Sequence, residues 1–340
     1  MTEEYPEVSS NPYDVPQTIV NLLIVRAIVG FAGIVLNLDL VYVIYKNKNL
    51  QNSTSFLLAL NAICNVLYEI EFIINAVVVT GLAFNGLQVI QAKPCTFLLL
   101  LPIFATNASV LLMLFIGLDR LIRVMFPMWF HNDNMTTWCY LAVVIGICLS
   151  YGMFIAYKCV VVSTWWSTER YVTCSVAELY VADVNKLIVK LNIIFNPMTA
   201  VCYLAVWISF KWRQKLHHVS DKSARRVFQS LSVTMLLAFF GWFLHSTYVL
   251  VLTYLLQLRF FDMWWIGACI TILMAIASAS FAPMLFIYSR EYKKAFCRQF
   301  QNVIERIVQI ISNAGNSKTS AAMYNVKYVS PKKQEAVVIS

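Results

Sequence analysis

Few ionisable side chains that could do chemistry lie inside the long apolar stretches of this chain. Glu69 and Glu71 interrupt the stretch from Phe56 to Thr80, and an adjacent acid and base, Asp119 and Arg120, end another. An ionisable group inside a membrane must be protonated, hydrated or paired, and it commonly marks an ion pathway, a ligand contact or a switch. These four residues are therefore the first candidates for a functional role.

Catalytic and cofactor chemistry have little support in the sequence. A zinc site needs ligands at helical spacing, yet only His245 lies well inside an apolar stretch, and the other histidines are His131, His217 and His218. A retinal Schiff base needs a lysine in the last apolar stretch, and Met263 to Tyr288 contains none. We predict a protein that is not an enzyme and that uses no metal or cofactor.

The elements that position these residues are long enough to cross a membrane. Hydrophobic residues make up 60% of the 340 and charged residues 13%, against roughly 45–50% and about 25% in soluble domains. About 20 apolar residues span the hydrocarbon as a helix, and a helix satisfies its own backbone there. The sequence has seven such spans, and they predict an all-α membrane protein, a seven-transmembrane helix bundle. The spans are Arg26 to Lys46, Phe56 to Thr80, Lys93 to Asp119, Asp133 to Lys158, Lys190 to Lys211, Arg226 to Arg259 and Asp262 to Arg290.

Basic residues indicate which side of the membrane each end faces. Most of the 26 lie in the first, third and fifth connections and in the tail, and such residues stay on the cytoplasmic side. We therefore predict an extracellular amino terminus (1–20), a seven-helix domain (21–297) and a cytoplasmic tail (298–340) at the plasma membrane. The net charge of +9 fits anionic lipid beside this excess, and we expect no nucleic-acid partner.

The tail begins with an amphipathic pattern. Tyr292, Phe296 and Phe300 recur at every fourth position among basic residues, which predicts a short eighth helix on the inner leaflet. Beside it, Cys297 is either a palmitoylation site or an unmodified thiol.

One of the nine cysteines stands where a disulfide can persist. Cys95 opens the third span on the predicted extracellular side, which is an oxidising compartment. Two partners are open: Cys174, midway along the loop between the fourth and fifth spans, and Cys159, nearer the top of the fourth span. We favour Cys174, because a bridge there would pin a loop instead of joining two helix ends.

The end of the third span carries a family resemblance. It reads Met113-Leu-Phe-Ile-Gly-Leu-Asp119-Arg120-Leu121-Ile122 and is followed by Met125-Phe-Pro127. This resembles the Asp/Glu-Arg-Tyr motif of rhodopsin-like G-protein-coupled receptors, and the surrounding sequence is similar to that of the nematode serpentine chemoreceptors of class sx. Cys95, 25 residues before Arg120, stands where that family keeps its disulfide.

Other spans extend the resemblance over about residues 20 to 300. Ala282-Pro283-Met-Leu-Phe286 is similar to the seventh-span Asn-Pro-x-x-Tyr motif. Asn37 matches the first-span asparagine, and Trp242 stands like the sixth-span tryptophan.

The resemblance implies a receptor that binds an extracellular ligand and activates a heterotrimeric G protein through the cytoplasmic ends of helices 3, 5 and 6. The expected ligand is an environmental odorant or a peptide, so a chemosensory receptor and a neuropeptide receptor are both open. The implied activation residues are Asp119, Arg120, Trp242, Pro283 and Phe286. The candidate ligand contacts are Glu69, Thr106, Asn107, Trp242 and His245.

Several positions depart from the family pattern. Asn65 replaces the second-span aspartate that holds sodium, which argues against a sodium site. Ala282 and Phe286 replace an asparagine and a tyrosine, and Leu244 replaces the sixth-span proline, so the water-linked activation network is in doubt. Pro102 stands where amine receptors carry an aspartate, which argues against a monoamine ligand.

Two questions stay open for the charged residues. Asp119 and Arg120, being adjacent, are expected to neutralise each other at rest. Glu69 is either a ligand contact or a lock between helices, with Arg26, Lys186, Lys190 or His245 as candidate partners. A transporter or channel that uses Glu69 and Glu71 is the alternative from another class, although the sequence lacks the internal repeat of many transporters.

Overall fold

The computed structural model of the chain describes residues 17–84, 90–126, 134–165, 170–217, 260–288, 292–299, 301 and 304–305. Long apolar sequences with few glycines and prolines make helix the dominant conformation in these residues. The helices are α1 Gln17–Lys46, α2 Ser53–Phe84, α3 Ala92–Leu98, α4 Leu100–Met125, α5 Asn134–Trp165, α6 Val176–Leu179, α7 Ala182–His217, α8 Phe260–Ala279 and α9 Phe281–Tyr288. A 3₁₀ turn at Lys48–Leu50 and two short strands, β1 Ile90–Gln91 and β2 Tyr171–Val172, complete the described elements.

Within the described residues, five helices are long and apolar enough to cross a membrane, and they lie in α1, α2, α4, α5 and α7. A sixth crossing is formed if α8 and α9 count as one span, since Cys269–Ala279 and Phe281–Ile287 meet at a bend of 42°. The predicted span from Arg226 to Arg259 lies outside the described residues. The prediction of an all-helical, multi-pass membrane protein is confirmed.

Helix α4 lies at the centre of the described bundle and packs against α2, α5 and α7, while α1 packs against α2 and α8. The most deeply buried side chains of the bundle include Leu57, Leu112, Ile116 and Leu285. Large apolar side chains also cover the outer surface, which in water would be unfavourable and in lipid costs nothing. They include Ile28, Phe31, Phe154, Val201 and Ile276.

The two ends of the bundle differ in structure. At one end, β1 pairs antiparallel with β2, and a disulfide joins Cys95 in α3 to Cys174. We call this the disulfide end. At the other end, α4 finishes with Asp119, Arg120 and Arg123 beside the start of α2, and we call this the arginine end.

Residues 292–299 are helical and amphipathic, as predicted for the short eighth helix. Tyr292, Ala295 and Phe296 are buried, whereas Lys293 and Lys294 are exposed. The Phe296 ring meets the Phe286 ring edge to face, with centroids 6.1 Å apart. By its contacts the chain divides into Met1–Phe296 and Cys297–Ser340.

Candidate functional site

The fully buried Asp119 has partners on two helices at the arginine end. Its Oδ2 accepts a hydrogen bond from Arg123 Nε at 3.0 Å and another from Thr54 Oγ1 at 2.5 Å. Arg123 Nη2 also donates to Ser53 Oγ. Because Ser53 and Thr54 begin α2, the Asp119–Arg123 pair ties the end of α4 to the start of α2.

This arrangement corrects the prediction that Asp119 and Arg120 neutralise each other. Adjacent residues on a helix point in directions about 100° apart, whereas residues four apart lie on one face. Asp119 therefore pairs with Arg123, and not with its neighbour Arg120. The i,i+4 spacing is visible in the sequence and could have identified Arg123.

Arg120 is held differently. Its Nε is buried and has no hydrogen-bond partner among the described residues. Asp119, Tyr292 and Tyr203 of α7 lie close enough to interact electrostatically with its guanidinium. The hydroxyl of Tyr203 is itself bonded to the backbone oxygen of Met113 at 2.7 Å, and that of Tyr292 lies 3.0 Å from Ser55 Oγ.

Glu69 lies in the middle of the bundle between three helices and is fully buried. Asn37 Nδ2 of α1 lies 3.3 Å from each of its carboxylate oxygens, and Ser278 Oγ of α8 donates to Oε1 at 2.6 Å. Asn37 Nδ2 also approaches the Ser278 backbone oxygen at 3.5 Å. The contacts are those of a tie between α1, α2 and α8, and Ser278 stands just before the break between α8 and α9.

The close fit of Glu69 requires a glycine on α1. A Cβ added to Gly33 would lie 2.3 Å from Glu69 Oε1 and 2.5 Å from its Cδ, far inside van der Waals contact. Asn37 Nδ2 bonds to the Gly33 backbone oxygen at 3.1 Å, so the same turn of α1 supplies both the space and the donor.

The partners proposed for Glu69 from the sequence lie elsewhere. Arg26 is buried with its Cζ 4.9 Å from the centre of the Phe72 ring. Lys186 pairs with Asp183 at 3.8 Å on the exposed side of α7, and Lys190 is also exposed. His245 lies outside the described residues.

Glu71 points to the disulfide end. Its Oε1 accepts hydrogen bonds from Val176 N at 2.9 Å and Ser175 Oγ at 3.2 Å. One turn further along α2, Asn75 Nδ2 donates to the backbone oxygens of Thr173 at 2.8 Å and Cys174 at 3.1 Å. Helix α2 therefore binds the loop that follows β2 over several consecutive residues.

The loop is also fixed internally. The structure joins Cys174 to Cys95, with Cα atoms 5.4 Å apart, while Cys159 is a buried free thiol. Cys174 adopts a left-handed φ of 65°, a conformation that persists in a non-glycine residue only where its surroundings enforce it. Glu178 accepts bonds from Thr173 N and Oγ1 at 2.7 and 2.6 Å, and burial raises the pKa of its carboxyl group.

The remaining candidate ligand contacts lie on α4. Thr106 Oγ1 donates to the Pro102 backbone oxygen at 2.7 Å, so its hydroxyl proton is already used in a hydrogen bond within the helix. Asn107 Nδ2 donates to the Ile103 backbone oxygen at 2.8 Å and reaches the Tyr180 hydroxyl at 2.9 Å, next to the disulfide-end loop. Trp242, the sixth-span candidate, lies outside the described residues together with Leu244.

Asn65 stands where the resembling receptors carry a sodium-binding aspartate, and its side chain is an amide. Ser109 Oγ donates to Asn61 Oδ1 at 2.9 Å and lies 3.4 Å from Asn65 Oδ1. The nearest carboxylate along α2 is Glu69, one turn away, and its described partners are those given above. In the sequence that resembles the seventh-span Asn-Pro-x-x-Tyr motif, Pro283 lies in α9 and Phe286 packs on Phe296.

A comparison with known families gives one match. The chain is similar to the family described as serpentine type 7TM GPCR chemoreceptor Srsx, which it matches over residues 27–300. The matched region contains both ends of the bundle, the Glu69 tie and the disulfide. No curated protein matches the chain.

Proposed function

The chain belongs to the Srsx family of serpentine seven-transmembrane chemoreceptors, a receptor family and not an enzyme family, and on this premise we propose that it binds an extracellular chemosensory ligand and activates a heterotrimeric G protein. In this proposal the protein lies in the plasma membrane with its amino terminus outside. The disulfide end then faces the extracellular space, and the arginine end faces the cytoplasm.

The observation that carries the proposal is the arginine end. A fully buried carboxylate, two arginines and two α2 hydroxyls meet where the predicted cytoplasmic connections begin. Ionisable groups at that depth are costly in a membrane protein and are typical of functional positions. The G protein would contact Arg120 together with the cytoplasmic ends of the third, fifth and sixth spans.

The ligand is proposed to enter from the disulfide end. Asn107 of α4 is bonded to the hydroxyl of Tyr180, which follows α6 next to that loop. Trp242 and His245 of the sixth span remain candidate contacts. We expect Glu69 to act as a tie between helices, since Asn37, Ser278 and Gly33 surround its carboxylate. This also weighs against an ion pathway, because Glu69 and Glu71 bind different elements.

A ligand screen tests the receptor proposal. Cells that express the chain with a promiscuous G protein are exposed to small volatiles and to peptides, and G-protein dissociation is recorded. We expect a response to members of one chemical class, lost in cells without the receptor. A response to peptides alone would identify a neuropeptide receptor, and ligand-independent ion currents would support the transporter or channel alternative instead.

Epitope labelling tests the orientation. An amino-terminal tag should be stained on intact cells and a carboxy-terminal tag only after permeabilisation, because the basic connections remain in the cytoplasm. The reverse pattern would contradict the proposed orientation and would favour the inverted seven-span channel families.

A further inference from the structure

The two arginines of the arginine end have different partners. Arg123 donates to Asp119 and to Ser53, whereas the Nε of Arg120 has no hydrogen-bond partner among the described residues. The Asp119 carboxylate therefore makes its direct ion pair with the residue four positions later, whereas its interaction with the neighbouring Arg120 is electrostatic, at longer range. Family resemblance does not predict this, because it assigns the role to Arg120.

Burial makes the choice of partner consequential. A carboxylate that is fully enclosed needs a cation, and removing one member of such a pair leaves an uncompensated buried charge, which is strongly destabilising. If Arg123 were absent, Arg120 would be the arginine left to neutralise Asp119, with which it already interacts electrostatically. The two arginines thus compete for a single carboxylate.

From this we infer that Arg123 is a positioning residue that occupies Asp119 and thereby keeps Arg120 available for the G protein. The inference rests on the proposed function, since it concerns the availability of Arg120 for coupling. Thr54 and Ser53 favour the Arg123 pairing, because one donates to the same carboxylate oxygen and the other anchors the guanidinium on α2. Arg120 interacts with Asp119, Tyr292 and Tyr203 electrostatically, without the direct contacts that hold Arg123.

The pairing itself can be tested without any G protein. Thermal unfolding of the purified full-length chain in detergent is measured for Asp119→Asn, Arg123→Gln, Arg120→Gln and the two double variants that contain Asp119→Asn. We expect stronger non-additivity between positions 119 and 123 than between 119 and 120, because only the first pair is in direct hydrogen-bonded contact. The opposite pattern would overturn the inference and leave the receptor proposal untouched.

The effect on coupling is measured as the slope of basal G-protein activation against surface expression. Arg123→Gln should lower the slope by at least about fivefold, the lower bound of typical coupling between sites, because Asp119 then captures Arg120. Adding Asp119→Asn should restore it, since no acid remains to hold Arg120. A residue that only maintained the fold would not show this rescue.

Two further variants keep the test decisive. Lys46→Gln removes a basic charge from an exposed residue bonded to Tyr42 and should leave the slope unchanged. Ser53→Ala removes the hydroxyl that anchors Arg123 and should lower the slope less than Arg123→Gln does. If Arg123→Gln fails to reach the cell surface, Ser53→Ala replaces it in the test. An unchanged or higher slope in Arg123→Gln, or in its replacement, would overturn the inference. No slope in any variant, with the stability coupling intact, would overturn the G-protein proposal and this inference with it.

Discussion

The two ends of the bundle are held by interactions of different kinds. At the disulfide end, a covalent bond, a strand pair and hydrogen bonds from Glu71 and Asn75 all act on one short loop. At the arginine end, one ion pair and two hydroxyls connect α4 to α2, and polar atoms of Asp119 and Arg120 stay without partners among the described residues.

This difference fits a receptor in which one end must keep its shape and the other must change. A loop restrained at several consecutive residues cannot move without breaking many contacts together. An ion pair with a second cation beside it has an alternative partner, so this end can rearrange by replacing one charge-assisted bond with another. The Glu69 tie lies between the ends, and through Ser278 it reaches the break between α8 and α9.

The largest effect is expected from removing the covalent restraint. Cys95→Ser and Cys174→Ser should each greatly reduce surface expression, since loss of a native disulfide costs about 2–5 kcal/mol. The double variant should be no worse than either single variant, because all three lack the same bond. Surface labelling provides the measurement, and Cys159→Ser is the matched control. If Cys159→Ser were the damaging change and Cys174→Ser were silent, the account of this end would be wrong.

The next effect concerns the tie between the two ends. Gly33→Ala would place a methyl group 2.3 Å from Glu69 Oε1, and overpacking of this kind costs about 1–3 kcal/mol. Thermal unfolding in detergent should show a clear loss of stability. The control is Gly81→Ala, because a Cβ at Gly81 meets nothing within 4 Å.

A double variant sharpens this prediction. Gly33→Ala should be less harmful in a Glu69→Ala background, since the carboxylate that it meets has been removed. Equal destabilisation in both backgrounds would mean that Gly33 matters for another reason. It would also remove the steric argument for a tie at Glu69.

A smaller effect is expected at the loop. Asn75→Ala removes the donor to the Thr173 and Cys174 backbone oxygens, and a typical intramolecular hydrogen bond contributes about 0.5–1.5 kcal/mol to stability. With the disulfide intact, we expect normal surface expression and a modest fall in thermal stability. A loss as large as that of Cys174→Ser would show that hydrogen bonds, and not the disulfide, fix this end.

The sequence predicted the parts of this picture that depend on local pattern. Span length and charge placement predicted the helices, and the position of Cys174 midway along a loop favoured it over Cys159 as the partner of Cys95. Arg123 could also have been found, because an acid and a base four residues apart share a helix face. The resemblance of Asp119-Arg120 to a receptor motif favoured Arg120 as the partner of Asp119, whereas the direct ion pair is made by Arg123.

The Glu69 tie was beyond local pattern. Its members come from α1, α2 and α8, and Ser278 is separated from Glu69 by 209 residues. Which face of each helix turns toward the others depends on how the whole bundle packs. The sequence therefore predicted that Glu69 needs a partner, but not which one. The predicted candidates were Arg26, Lys186, Lys190 and His245, whereas the structure has Asn37 and Ser278.

The central claim is that the arginine end acts on the G protein through Arg120, and the Arg120→Ala variant tests it most directly. With a ligand from the screen, G-protein activation and ligand binding are measured at matched surface expression. The account predicts that activation is abolished while binding at the distant disulfide end persists. Activation that survives in Arg120→Ala would contradict the account.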